Sequence, residues 1–280
     1  MPDRYAVIGH PIAHSQSPLI HGLFAQATGQ QLTYEAIDGG DRPGGLARVL
    51  EAFRADGGRG VNVTLPFKLE ALACAGEADE AARLAGAANA LRFEGERIQA
   101  RNFDGAGLVR DIAVNLAVPL RAARVLLLGA GGAARGAIVP LARAGAGRIV
   151  IANRTADKAR QLAFDFAPHA GKGCAIAGAG LGEDELGGAF DVVINATSAS
   201  LAGAALQLPV RSLAGVPLAY DMVYGKGLTP FLRQAQAAGA RRLADGIGML
   251  VEQAAEAFAW WRGVRPETAP VIAQLAKPLV

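Results

Sequence analysis

Short apolar runs alternate with longer stretches of helical periodicity along most of the chain. In the second half these runs predict buried strands of a parallel sheet, because strands covered on both faces read as nearly continuous apolar segments. The predicted strands cover residues 124–128, 148–152, 174–177, 191–195, 217–221 and 241–244. Six strands separated by predicted helices indicate a doubly wound α/β sheet.

The first hundred residues also alternate between strand and helix. The predicted strands cover residues 5–9, 60–63, 91–93 and 98–100, the last two as a hairpin. Ser17 and Pro18 predict the N-cap and first residue of a helix that Gly29 ends. Further helices are predicted over 46–53, from 66 onward, and from 104 to about 117.

A chain of 280 residues is long enough for two domains. We expect an N-terminal α/β substrate-binding and catalytic domain over 1–103 and a nucleotide-binding domain over 104–246. Helical patterns continue beyond residue 246, and no strand of the second domain is left for them to cover. We therefore expect 247–280 to return to the first domain, with the active site in the cleft between the domains.

The first predicted strand of the second domain leads into a glycine turn, and a helical stretch follows. Gly129, Gly131 and Ala134 match the Gly-x-Gly-x-x-Ala fingerprint of Rossmann-type dinucleotide domains. The first glycine allows the tight turn, the second lets the backbone approach a pyrophosphate, and Ala134 lets the helix pack closely. The helix N-terminus would hold the pyrophosphate. A purely structural glycine turn is the alternative.

The end of the next predicted strand favours NADP over NAD. An acidic residue there would bind the ribose 2′-hydroxyl of NAD, but the chain has Asn153, Arg154 and Thr155, with Lys158 one turn later. Arg154 can pair with a 2′-phosphate and lie flat on the adenine. The alternative is that Arg154 and Lys158 are ordinary solvated charges at a helix start.

Composition narrows the class of protein. The chain is 51% hydrophobic and 19% charged, with a net charge of +3, as is typical of globular domains. No run of Lys and Arg occurs, which argues against a nucleic-acid partner. We expect no membrane span and no signal peptide, since neither apolar pattern is present. Cys74 and Cys174 have no partner motif, and we expect free thiols in a cytoplasmic protein.

The segment Asn62-Val-Thr64-Leu-Pro66-Phe-Lys68 runs from a strand end into a helix start. Because the carboxyl ends of strands face the ligand crevice in α/β domains, we expect Asn62 and Thr64 to point toward a ligand. Lys68 would oppose the dipole of its helix, a placement that suits acid/base chemistry better than stability. Asp104 could hold Lys68 in place. A solvated lysine, and an aspartate that only caps a helix, are the alternatives.

Ser15 and Ser17 place two hydroxyls beside a helix N-terminus, which indicates a seat for a carboxylate. A simple N-cap role for Ser17 is the alternative. His10, His14 and His21 are joined by no acidic or cysteine ligand, so we expect no metal site.

Seven motifs follow one another in a single order between Tyr5 and about Leu275. They are Tyr-Ala-Val-Ile-Gly-x-Pro-Ile-Ala-His-Ser-x-Ser-Pro, Asn-Val-Thr-x-Pro-Phe-Lys, Asn-x-Asp-Gly, Gly-Ala-Gly-Gly-Ala, Asn-Arg-Thr, Asn-Ala-Thr-Ser and Asp-Gly-x-Gly-Met-Leu-Val-x-Gln-Ala. Together they resemble the shikimate dehydrogenase family. The resemblance implies NADP-dependent interconversion of 3-dehydroshikimate and shikimate, on the route to chorismate and the aromatic amino acids, by a monomer or homodimer. A related dehydrogenase for quinate, an amino-shikimate or another cyclic hydroxy acid is the first alternative, and an NADP-binding sensor without turnover is the second.

The same resemblance implies a role for each matching residue. Lys68 and Asp104 match the catalytic pair. The residues that would bind the substrate are Ser15, Ser17 and Tyr224 at the carboxylate, and Thr64, Asn89, Asp104 and Gln253 at the ring hydroxyls. The residues that would bind NADP are Gly129, Ala130, Gly131, Gly132, Ala133, Asn153, Arg154, Thr155, Lys158, Asn195, Thr197, Met222 and Gly246.

The chain departs from the family's pattern at several positions. Phe103 replaces a threonine beside Asp104, and residues 198–201 read Ser-Ala-Ser-Leu where Ser-x-Gly is usual. Alanines flank Asn89 where Val and Thr are common, and His10 stands where Asn is frequent. These departures bear on the shape of the pocket and on a strict preference for shikimate.

Overall fold

A computed structural model of the chain describes residues 2–42, 44–182, 186, 188–200, 203–225 and 227–279. The chain divides into two compact units. Unit 1 comprises Met1–Gly107 and Val251–Val271, and unit 2 comprises Leu108–Leu250 and Ile272–Val280.

The sequence analysis placed the boundaries after residues 103 and 246, whereas residues 104–107 group with unit 1, and residues 247–250 and 272–279 group with unit 2. Leu279 packs against the apolar core of unit 2, in agreement with the grouping of the last described residues. Among the described residues, no helix has both the length and the apolar content needed to cross a membrane.

Unit 1 is organised around a mixed six-stranded sheet. Its strands are β1 (Asp3–Gly9), β2 (Leu32–Asp38), β3 (Gly58–Val63), β4 (Glu77–Ala78), β5 (Ala90–Glu94) and β6 (Arg97–Arg101). Its helices in this stretch are α1 (Ser17–Thr28), α2 (Gly45–Ala55), α3 (Lys68–Ala73) and α4 (Glu80–Ala85). Helix α5 (Asp104–Arg110) begins in unit 1, and its residues from Leu108 group with unit 2. The strand order is β2–β1–β3–β5–β6–β4, with β1 parallel to both its neighbours and β5 antiparallel to both of its own.

The core of unit 1 is formed by apolar side chains of its helices and strands. Leu46, Leu50 and Phe53 recur at helical spacing on α2 and pack with Ile8 of β1 and Val63 of β3. The predicted helix and both strands are therefore confirmed, whereas β2, β4 and α4 were not predicted. The connecting helix continues beyond α5 as a π-helical turn, Asp111–Asn115.

Unit 2 contains a parallel six-stranded sheet. Its elements are β7 (Arg124–Leu128), α6 (Gly132–Arg143), β8 (Arg148–Asn153), α7 (Ala156–Phe166), β9 (Ala175–Gly180), β10 (Val192–Asn195), β11 (Leu218–Asp221), α8 (Pro230–Ala237) and β12 (Leu243–Asp245). The order β12–β11–β10–β7–β8–β9 is that of the doubly wound dinucleotide fold, so the predicted fold class is confirmed. Two further helices follow, α9 (Ile247–Arg262) and α10 (Ala269–Leu275). Helix α9 belongs to unit 1 from Val251 onward, and α10 belongs to unit 1 up to Val271 and to unit 2 from Ile272.

Candidate active site

Lys68 and Asp104 form the centre of the candidate site in unit 1. The chain leaves β3 and turns so that Lys68 becomes the first residue of α3. Its Nζ donates a hydrogen bond to Asp104 Oδ2 across 2.6 Å. The side chains are 27% and 18% exposed, respectively. The ion pair is therefore sheltered enough to keep its geometry and open enough to exchange protons with water.

Asn89 holds the other oxygen of this carboxylate. Its Nδ2 donates to Asp104 Oδ1 at 2.8 Å and to Gln253 Oε1 at 3.1 Å. Its Oδ1 accepts the backbone N–H of Phe103 at 2.9 Å. Because both ends of this buried amide are engaged, its orientation and that of Asp104 are fixed together. Four residues predicted to act on the substrate thus lie in one hydrogen-bonded group: Lys68, Asn89, Asp104 and Gln253.

The carboxyl ends of β1 and β3 bring two predicted segments together. Thr64 N–H donates to the backbone oxygen of Ile8 at 2.9 Å, and His10 N–H to that of Leu65 at 3.0 Å. A Cβ at Gly9 would lie 2.4 Å from Thr64 Cγ2, so only glycine fits beside this turn. Thr64 is half-buried, but the expectation that Asn62 points toward a ligand is wrong, because Asn62 is 5% exposed and bonded inside the core.

Ser15 and Ser17 lie at the start of α1. Ser15 Oγ accepts the backbone N–H of Ser17 at 3.3 Å. Ser17 is the first helical residue, and Gln16 occupies the cap position without a side-chain bond. The N-cap alternative for Ser17 is therefore wrong. Tyr224, the third predicted carboxylate ligand, follows β11 in unit 2 and is 38% exposed.

The departures beside Asn89 and Asp104 are core residues. The Phe103 ring is buried, edge-on to Trp260 with centroids 5.9 Å apart, in a cluster with Ala90 and Ala257. Ala88 belongs to the main core of unit 1. These substitutions therefore change packing behind the site.

The remaining departure in unit 1 is His10. Its Nδ1 lies 2.7 Å from Asp38 Oδ1, at the end of β2. Hydrogen bonds from His10 and from the Gly40 N–H lower the pKa of Asp38.

The glycine turn of unit 2 has the features of a dinucleotide site. Gly129 has φ +109°, and a Cβ there would lie 3.0 Å from Thr197 Cγ2. A Cβ at Gly131 or Gly132 would meet no atom within 4 Å, so the space before α6 is open to a ligand. The start of this helix carries no side-chain cap, which leaves its backbone N–H groups to bind a pyrophosphate. Ala130 lies in this turn, and Ala133 is the second residue of α6.

The predicted 2′-phosphate residues lie at the end of β8 and the start of α7. Asn153 is the last residue of the strand, and its Nδ2 donates to the backbone oxygen of Thr155 at 3.0 Å. Arg154, Thr155 and Lys158 are exposed, and Thr155 occupies the cap position of the helix. These residues fit a group that carries a phosphate on its adenosine ribose.

A buried carboxylate organises the opposite part of the predicted cofactor site. Asp221 is fully buried and accepts Asn195 Nδ2 at 3.1 Å, Ser200 Oγ at 2.6 Å and Thr229 Oγ1 at 2.6 Å. Asn195 Oδ1 in turn accepts Thr197 Oγ1 at 2.7 Å. Ser200 stands where the family usually has glycine, so this hydroxyl adds a bond; Leu201 of the same motif lies outside the described residues.

Two more predicted cofactor residues meet where β11 and β12 end. Met222 N–H donates to the backbone oxygen of Asn195 at 3.0 Å. A Cβ at Gly246 would lie 2.3 Å from the backbone oxygen of Met222, so glycine is required there. The predicted cofactor residues all belong to unit 2, and the predicted substrate residues other than Tyr224 belong to unit 1.

Sequence reasoning missed Asp221 and the stacked pair of the buried His21 and the half-buried Tyr34. Asp221 ends a predicted strand, so the rule that identified Asn195 could have identified it. The sequence considered His21 only as a metal ligand. Its actual partner, Asn62, lies far away in sequence, and no local pattern connects the two.

Comparison with known proteins identifies family models over three segments of the chain. Residues 7–91 match the "Shikimate dehydrogenase substrate binding domain", residues 111–203 match "Shikimate / quinate 5-dehydrogenase", and residues 246–276 match the "Shikimate 5'-dehydrogenase C-terminal domain". The chain is 56% identical to the NADP(+)-dependent shikimate dehydrogenase of Nitrosospira multiformis, with 100% of this chain and 99% of that protein covered.

Two solved structures match nearly the whole chain. An Ael1 enzyme from Pseudomonas putida is 57% identical, with a TM-score of 0.92 over 99% of this chain and 100% of that one. The shikimate 5-dehydrogenase of Thermus thermophilus, solved in complex with NADP(H) and shikimate, is 32% identical, with a TM-score of 0.83 over 97% of both chains.

Proposed function

The chain belongs to the shikimate dehydrogenase family, and from this we propose that it is an NADP-dependent enzyme interconverting 3-dehydroshikimate and shikimate, with Lys68 as its acid/base. The observation that carries the role of Lys68 is its 2.6 Å bond to Asp104, whose second oxygen is held by Asn89. A lysine held by a fixed carboxylate, and reaching solvent, is suited to give and regain one proton per turnover.

NADPH, when bound, supplies a hydride to the carbonyl carbon of the substrate. Lys68 Nζ donates a proton to the oxygen of that carbonyl as it becomes a hydroxyl. Asp104 accepts a hydrogen bond from Nζ throughout, which keeps the ammonium aimed at the reacting oxygen and stabilises its charge. In the oxidising direction the neutral amine takes the hydroxyl proton. Exposure of the pair lets water restore the lysine between turnovers.

Different residues are proposed for the carboxylate and for the ring hydroxyls of the substrate. Ser15 and Ser17, aided by Tyr224, hold the carboxylate, where hydroxyl donors satisfy a fixed negative charge. The ring hydroxyls meet the polar group of Thr64, Asn89, Asp104 and Gln253. The hydrogen bonds that already orient Asn89 support this assignment, because an amide that is held in place needs no rearrangement to bind a hydroxyl.

Unit 1 is proposed as the substrate-binding and catalytic domain, and unit 2 as the NADP-binding domain. The open space at Gly131 and Gly132 supports a pyrophosphate position, and the exposed Arg154 and Lys158 support recognition of the 2′-phosphate. We also propose a cytoplasmic location, supported by the free thiols of Cys74 and Cys174, which persist in a reducing compartment.

The test follows the near-ultraviolet absorbance of reduced nicotinamide with purified protein. We expect reduction of NADP+ with shikimate, and much slower reduction with NAD+ or with quinate as substrate. Lys68→Ala should lower kcat by roughly 10²–10⁴-fold, with the KM for shikimate less affected. Lys172→Ala removes an exposed lysine of unit 2 and serves as the matched control, with no change expected.

Two results would contradict the proposal. An unchanged kcat in Lys68→Ala would remove the acid/base role. Demonstrated NADP binding without turnover of shikimate would exclude shikimate as the substrate, and turnover of quinate in the same assay would identify the alternative dehydrogenase.

A further inference from the structure

Behind Asn89 lies a polar group, here called the His21 cluster, which consists of the buried His21 on α1 and Asn62 on β3 and the half-buried Tyr34 on β2. His21 is 1% exposed and Asn62 is 5% exposed. The imidazole stacks on the Tyr34 ring, with centroids 4.2 Å apart and an interplanar angle of 6°. Apolar side chains of similar shape would fill this core without the cost of burying polar groups. The polar atoms therefore call for an explanation other than packing.

Two hydrogen bonds of the cluster meet at one atom, and the Tyr34 hydroxyl is also bonded to the side chain of Ser17. Asn62 Oδ1 accepts the hydroxyl of Tyr34 at 2.7 Å and Nε2 of His21 at 3.1 Å. Because a carbonyl oxygen only accepts, His21 carries its proton on Nε2. Its Nδ1 is buried without a hydrogen-bond partner among the described residues. Burial lowers the pKa of His21 to about 3, so the ring is neutral at neutral pH.

The backbone oxygen of Asn89 only accepts, so the Asn62 amide faces it with Nδ2, which donates to it at 3.2 Å. The Asn62 Oδ1 is therefore turned toward Tyr34 and His21, which hold it in place. The Asn89 oxygen also accepts the N–H of Val63 at 2.9 Å, and the Asn89 N–H donates to the Arg101 oxygen at 3.0 Å. A reversed amide would set its oxygen against the Asn89 oxygen, which can only accept. The Asn89 backbone is thus held from both neighbouring strands.

We propose that His21 and Tyr34 are positioning residues that act through Asn62. The Asn62 amide fixes the backbone of Asn89, and the Asn89 side chain fixes the carboxylate of Asp104. The proposal rests on the proposed function, because it concerns the same acid/base pair. It assigns the polar atoms of the cluster to the alignment of that pair.

Single substitutions that keep an aromatic ring test the idea. Tyr34→Phe and His21→Phe each remove one donor to Asn62. We expect each to lower kcat about tenfold, since a misplacement of about 1 Å can cost as much as ~10²-fold. The KM for NADP+ should stay within about twofold in both variants, because no cofactor-binding residue is touched. The Tyr34 hydroxyl also bonds the side chain of Ser17, so the unchanged KM for shikimate is expected in His21→Phe, which leaves that bond in place. His21→Gln restores an N–H donor and should recover part of the loss.

The matched control is Tyr5→Phe. Tyr5 lies opposite Tyr34 on the adjacent strand and stacks on Trp261, which also contacts His21. Tyr5→Phe therefore removes a hydroxyl from the same aromatic group without removing a hydrogen bond to Asn62, and kcat should not change. An equal loss of kcat in Tyr5→Phe would overturn the proposal in favour of general softening of the core.

A double-mutant cycle separates positioning from stability. In an Asp104→Asn background, Tyr34→Phe should cause no further loss of kcat, because the group it positions is already gone. Additive losses would overturn the proposal. If circular dichroism shows that His21→Phe does not fold, Tyr34→Phe alone tests the proposal. An inactive wild type would instead refute the proposed function, so the two failures are distinct.

Discussion

Replacing Phe103 by threonine, the residue usual in the family, decides whether this ring shapes the pocket. The ring is 9% exposed and packs against Trp260, Ala90 and Ala257. The two alanines are too small to fill the space that the ring would leave. Loss of a buried phenylalanine ring costs about 3–5 kcal/mol, and a buried threonine hydroxyl without a partner does not reduce that cost.

Phe103→Thr should therefore lower the free energy of unfolding of unit 1 by about 3–5 kcal/mol and leave kinetics unchanged. Both tryptophans of the chain, Trp260 and Trp261, lie on the part of α9 that belongs to unit 1. Urea unfolding followed by tryptophan fluorescence thus reports on this unit. The KM and kcat for shikimate, and the rate with quinate, should match the wild type within about twofold.

Phe53→Thr is the matched control, because Phe53 is a buried ring of the same unit, edge-on to Phe93 and outside the Asp104 group. It should show a similar loss of stability and unchanged kinetics. The reasoning would be refuted if Phe103→Thr kept wild-type stability while raising kcat/KM for quinate tenfold or more, since the ring would then line the pocket.

Three more predictions concern charged and hydroxyl groups. Arg154→Ala should raise the KM for NADP+ by roughly 10- to 100-fold, because a charge-assisted hydrogen bond contributes about 1.5–3 kcal/mol. The KM for NAD+ should not change, and an equal rise of both KM values in steady-state assays would contradict the phosphate role. Ser200→Gly removes a 2.6 Å hydrogen bond to the buried Asp221. It should lower the free energy of unfolding of unit 2 by about 1 kcal/mol and raise the KM for NADP+. An unchanged calorimetric transition would show that this hydroxyl adds nothing. Arg265→Ala removes the guanidinium bonded to the fully buried Glu252 and should cost about 1.5–3 kcal/mol in urea titrations; an unchanged midpoint would refute this.

The strands of unit 2 were predictable because a parallel sheet covered on both faces requires apolar runs such as Val125 to Leu128. The missed β2 has the opposite character. It is an edge strand in which no residue of Leu32–Asp38 is fully buried, and its polar side chains give no apolar run. The two-residue β4 is too short to have a pattern of its own.

The residues of the candidate site were predictable only where a motif marks them. Lys68 and Asp104 are far apart in sequence, and the sequence indicated a pairing without giving its geometry. The direction of Phe103 could not be predicted, because it depends on Trp260, which approaches from the other segment of unit 1. The role of His21 was hidden for the same reason, since its partner belongs to another strand.

The division of unit 1 into two stretches of sequence has a consequence for its synthesis. Residues 1–107 leave the ribosome first, and the helix that places Ala257 against Phe103 and Phe258 beside His21 follows only with 251–271. At about 5–20 residues per second, this interval lasts on the order of ten to thirty seconds. During that time the apolar faces awaiting α9 are open to chaperones and to other nascent chains. Unit 1 is thus completed only after most of unit 2 has been made, although its first stretch is made before unit 2.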